Sequence, residues 1–144
     1  MEEGIQINFV AVLAAVLANF FLGFIWYTPL FGNAWAKEMN FDKSVKPAGG
    51  EIAKGMIMMV IGNFFLAFVF AHNIAAWNYV PGMEEMSPVL KILNAAGFTW
   101  LGFYLPVDLN AIAWEKKSWK LFAINSGYHF MMLLIAASIL TYMG

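Results

Sequence analysis

The chain has 144 residues, of which 62% are hydrophobic and 12% charged, and its net charge is −1. A soluble domain carries roughly 25% charged residues, and a chain this apolar lacks the polar side chains to cover a water-facing surface. All eight basic residues are lysine, which excludes a basic nucleic-acid patch and bidentate arginine clamps for phosphate or carboxylate. The lack of cysteine excludes disulfides, thiolate metal sites and cysteine nucleophiles.

The apolar residues fall in four stretches, near 7–27, 54–75, 89–105 and 119–142. About twenty apolar residues cross a hydrocarbon core of ~30 Å as a helix. Continuous apolarity at this length favours helices over the alternating strands of a barrel. The first stretch follows Met1-Glu2-Glu3, acidic where a signal peptide is basic, and is expected to be an uncleaved membrane helix. It closes on Trp26-Tyr27-Thr28-Pro29: aromatics favour the headgroup level, and proline cannot continue the hydrogen-bond ladder. The connection 28–53 has room for a short interfacial helix over 34–39 with Asn33 as N-cap, followed by a turn in Lys46-Pro47-Ala48-Gly49-Gly50. The middle connection carries Trp77, Tyr79, Pro81-Gly82 and Pro88 and is expected to lie on the membrane surface. The third stretch is expected to stop at Pro106. The expectation is an all-α integral membrane protein, a single domain over residues 1–144 with four transmembrane helices in a bundle.

Seven of the eight lysines sit in or beside the first and third connections; Lys91, beyond the acidic Glu84-Glu85 connection, is the exception. By the positive-inside rule those two connections face the cytoplasm, with both termini outside it. A shift of 79 residues aligns Leu22-Gly23-Phe24 with Leu101-Gly102-Phe103, Ala34-Trp35 with Ala113-Trp114, and Lys37 with Lys116. Two readings of this echo stand. One is two tandem hairpins related by a pseudo-two-fold axis along the membrane normal. The other is that membrane exits resemble one another because interfaces favour Trp and Lys.

Polar side chains inside a membrane are costly. Asn19, Asn63, Asn125 and His129 make the candidate intramembrane polar site, and Asn125 and His129, four apart, share a helix face. The functional reading is a small binding site or path with His129 as the titrating group; the structural reading is interhelical hydrogen bonding, in which asparagine is common. Asp108, at the end of the third stretch, is expected mainly to serve a turn; pairing with Lys116 or Lys120, or a gate with His129, are the alternatives. Trp26, Tyr27, Pro29, Trp35 and Trp114 are the expected interfacial anchors. Ala11, Ala14, Ala15 and Ala18 form a small-residue packing stripe.

With Trp26-Tyr27-Thr28-Pro29-Leu30-Phe31-Gly32 followed by Trp35, the start Asn8 to Leu13, and Ile124-Asn125-Ser126-Gly127-Tyr128-His129 near the end, the chain resembles the bacterial four-span "domain of unknown function 1761" family. The resemblance implies an inner-membrane setting and brings no assigned activity. The residues favour a structural or interaction bundle, bound in lipid, that self-associates or joins another membrane protein. The alternative is a small transporter or channel built on the Asn/His site. No cofactor or metal is expected, nor an enzyme: catalysis needs a positioned base with a nucleophile or metal, and only Ser126, Tyr128 and His129 cluster.

Overall fold

The computed structural model describes residues 4–144; the acidic Met1-Glu2-Glu3 flank lies outside them. Every regular element among the described residues is helical. α1 (Phe9–Ile25) starts at Asn8, whose side chain accepts from Val10 N–H and Ala11 N–H, satisfying two donors that a helix start leaves free. It runs on through a π turn, Trp26–Leu30, that contains Pro29. The first membrane-length helix is therefore Phe9–Leu30 and does not break at the proline. A π turn shifts hydrogen bonding from i→i+4 to i→i+5, which accommodates a ring that would otherwise clash with the preceding turn.

α2 (Gly32–Glu38) follows directly. Its N-cap is Phe31, not Asn33; the Asn33 side chain instead accepts from Lys43 Nζ at 2.6 Å. Gly32 is required at this corner, because a Cβ there would lie 2.7 Å from the Tyr27 carbonyl oxygen. α3 (Gly49–Trp77) starts earlier than the sequence suggests: Gly49 and Gly50 belong to the helix, and Ala48 is the extended residue before it. Beyond α3, Gly82 at φ +88° turns the chain into a short 3₁₀ helix, Met83–Glu85.

The third stretch departs most from expectation. α4 (Pro88–Thr99) passes through a second π turn, Trp100–Tyr104, into α5 (Leu105–Trp114). Pro106 does not stop the helix. It sits in the first turn of α5, where its missing N–H costs little. Each π turn opens on a tryptophan whose indole N–H donates into α6 (Trp119–Met143): Trp26 to the Ile124 carbonyl and Trp100 to the Ser126 carbonyl, both at 3.0 Å. α6 is capped by Ser118, which accepts from Leu121 N–H.

Three helices are long and apolar enough to cross a membrane: Phe9–Leu30, Gly49–Trp77 and Trp119–Met143. The continuous helical rod 88–114 packs beside them. α1 packs on α3 and on α6, and α6 packs on α4; α3 and α4 form no comparable interface. The hairpins α1–α3 and α4–α6 are thus alike, whereas a two-fold would also make α1–α6 and α3–α4 alike, which they are not. The core is built from small and branched residues: Ala11, Val12, Ala15, Ala67, Ala96, Leu133, Ala136 and Ala137 are essentially enclosed, and the outward apolar side chains face the surroundings along each helix. The ends are tied by chemistry. Asn8 Nδ2 donates to the Met143 carbonyl at one end, and Ser118 Oγ donates to Glu38 at the other, bringing the two lysine-bearing connections together.

Candidate functional site

The site lies near the lysine-rich end, where α5 meets α6. Continuation of the helix past Pro106 places Asp108 in the first turn of α5, facing α6. There its Oδ2 meets His129 Nδ1 at 2.7 Å, the sole ion pair among the described residues. The expected turn role is overturned: Asp108 is helical and its carboxylate is spent across the helix interface. The Asp108 side chain is 10% exposed and that of His129 26%. An ionised carboxylate only accepts, so the pair fixes the tautomer with the proton on Nδ1. Nε2 is left without a hydrogen-bond partner among the described residues. The imidazole stands beside two aromatic rings, Tyr104 at 5.0 Å and Tyr128 at 5.8 Å between centroids.

One helical turn toward the lysine-rich end, Asn125 Oδ1 accepts from the Tyr27 hydroxyl at 2.7 Å. Asn125 and Asp108 both line a cleft of about 150 Å³ whose other walls include Glu115, Lys117 and Phe122. Volume on this scale admits a few water molecules. The cleft opens between the third connection and α6, so Asp108 and Asn125 are the polar groups at its inner end.

The four residues expected to form one polar layer divide. Asn125 and His129 belong to this site. Asn19 is fully buried on α1, two turns or about 12 Å along the axis from Tyr27, and its amide finds no partner among the described residues. Asn63 is also buried and donates back to the Met59 carbonyl of its own helix. The close approach that packs α1 here is Gly23, where a Cβ would collide with Met59 Cε and press on the Tyr128 hydroxyl. The expected anchors divide as well. Trp114 is 83% exposed and, among the described residues, makes no inward contact of the kind the others make. Trp26 and Tyr27 turn inward instead, because their polar atoms bond α6; Trp35 packs on Tyr27 and Phe41. Tyr104 and the polar role of Tyr27 were hidden from sequence reasoning, while the imidazole–carboxylate contact stood there only as an alternative to the turn role of Asp108. The available signal was the helix-forming run after Pro106, with apolar residues at helical spacing through Trp114.

The family model described as "Protein of unknown function (DUF1761)" matches residues 10–141. The chain belongs to the DUF1761 family. That match covers every element from α1 to α6, including Asp108 and His129. No curated protein and no solved structure matches the chain.

Proposed function

We propose that this DUF1761 protein is a four-span, non-enzymatic protein of the bacterial cytoplasmic membrane, a small transporter or channel whose working group is the Asp108–His129 pair. The helical rod 88–114, about 40 Å long at 1.5 Å per residue, serves as the fourth span. The lysine-bearing connections face the cytoplasm and both termini lie outside it.

The observation that carries the reading is a carboxylate–imidazole pair inside the helical body with one imidazole nitrogen free. Ionisable groups at such depth mark ion or proton pathways. A pair kept only to fasten two helices is a poor investment, since hydrophobic replacement of a buried ion pair is often neutral or stabilising. The cleft beside it is too small for an organic solute, so the fitting ligand is a proton or a small hydrated cation. With His129 neutral the pair carries one negative charge; a proton on Nε2 cancels it. The resulting imidazolium is held by Asp108, with the rings of Tyr104 and Tyr128 packed beside it. Asn125, held by the Tyr27 hydroxyl, and Asp108 keep the inner end of the cleft polar. Proton uptake thus changes both the charge and the hydrogen bonding of the α5–α6 interface. Self-association, which would give a wider path between protomers, is compatible with this reading.

The experiment is ¹⁵N NMR of the two histidines in lipid nanodiscs as pH falls, with His129→Ala to assign them. In the wild type the His129 ring carries its proton on Nδ1 and gains a second. In Asp108→Asn the tautomer shifts toward Nε2–H, because the carboxylate that holds the proton on Nδ1 is gone. An unchanged His129 spectrum in Asp108→Asn would remove the pair from the mechanism.

A further inference from the structure

The gap between α3 and α4 is a second site, whose polar end lies at the opposite end of the molecule from Asp108. Because these two helices do not pack on each other, they leave a groove of about 480 Å³. Its walls are apolar along most of their length, with Trp77, Phe98 and Phe103 among them. Its polar groups are Asn73, Lys91, Asn94 and Thr99, and among the described residues no carboxylate lines it. Lys91 is the one lysine placed away from the lysine-rich end. Among the described residues its Nζ has only a neutral partner, Asn78 Oδ1 at 3.3 Å. Of the two carboxylates in the adjoining connection, Glu84 is turned to the Gly82 N–H. Asn94 offers its Nδ2 to nothing better than the Met86 sulfur at 3.5 Å.

We infer that this groove binds one anionic phospholipid, its phosphate on Lys91 and the amides, and one acyl chain along Phe98 toward Phe103. Charge and length both point to that occupant. A cation and two amides without a carboxylate complement a phosphate. From Lys91 to Phe103 is about 18 Å along the helix, close to the ~15 Å depth of one leaflet's hydrocarbon.

The test is native mass spectrometry of the full chain in detergent, titrated with phosphatidylglycerol or with phosphatidylcholine. The wild type retains one phosphatidylglycerol in preference to phosphatidylcholine. Lys91→Ala weakens phosphatidylglycerol binding about fivefold, the worth of one lysine at an anionic surface, and leaves phosphatidylcholine binding unchanged. Ala95→Trp, which fills the groove from its half-exposed wall, displaces the lipid while Lys91 stays. The inference is overturned if either variant binds phosphatidylglycerol as the wild type does, or if the two lipids are held alike. It is also overturned if a cysteine replacing Phe98 cross-links two copies across the groove.

Discussion

Asp108 and His129 are 21 residues apart in sequence and 2.7 Å apart in space, and their coupling has an energetic signature. Removing one member of a buried pair strands the other, at a cost of about 3 kcal/mol or more; the partial exposure of His129 places this case at the low end. His129→Leu should therefore lower thermal stability markedly. Asp108→Leu combined with His129→Leu should recover most of the loss, since neither charge is then left in an apolar interface. Thermal unfolding of both variants in nanodiscs checks this. Equal melting of the single and double variants would show that the two groups are not energetically coupled. The surrounding aromatics explain why the site was only partly legible. Asn125 and His129 announce a shared face by their spacing of four, and the structure uses it. Tyr27 reads as an interfacial anchor by composition, yet its hydroxyl is committed to Asn125. Nothing in a local pattern distinguishes a tyrosine facing lipid from one facing the next helix.

Among the elements, the π turns are what aim the site. Trp26–Leu30 and Trp100–Tyr104 each insert a wider turn into a continuing helix, and each is fastened to α6 through its leading indole. A π turn displaces the later residues by one position, or roughly 100° around the axis. That rotation sets the face on which Asp108 emerges. Pro106→Ala restores an N–H and removes the ring clash, so the rod 88–114 can relax to uninterrupted α geometry. The expected result is loss of the Asp108–His129 contact with helix content retained, read as a shift of the His129 ring nitrogens toward the spectrum of Asp108→Asn. An unaltered contact would show that the π turn is held by packing and not by the proline. The stretches near 7–27, 54–75 and 119–142 were legible because uninterrupted apolar runs of membrane length have few alternatives. The course beyond Pro29 and Pro106 was not, because proline signals a helix end in most settings and is accommodated here by a change in hydrogen-bond register. Asn33 misled for a related reason: a good capping residue is only a candidate until the corner is known, and Gly32 with Phe31 forms the corner.

At the scale of the molecule, the two ends differ. One gathers seven lysines, the Glu38–Ser118 tie and the cleft leading to Asp108 and Asn125. The other holds both ends of the described chain, joined through Asn8 and Met143, and the groove closed at its rim by Lys91. In the proposed orientation the lysine-rich end faces the cytoplasm, and the cleft beside Asp108 lies at that same end. The unequal packing follows from this arrangement: α1 and α6 form the centre, α5 carries the carboxylate against α6, and α3 stays apart from α4. The most direct measurement of the account is proton movement in vesicles containing the purified protein, with an imposed pH gradient and a pH-sensitive dye inside. The wild type should dissipate the gradient faster than empty vesicles, and Asp108→Asn and His129→Ala should slow that toward the empty-vesicle rate, a loss of roughly tenfold or more if the pair carries the proton. Dissipation by the wild type no faster than by empty vesicles, or equal rates in all three proteins, would contradict a proton-exchanging function for the site.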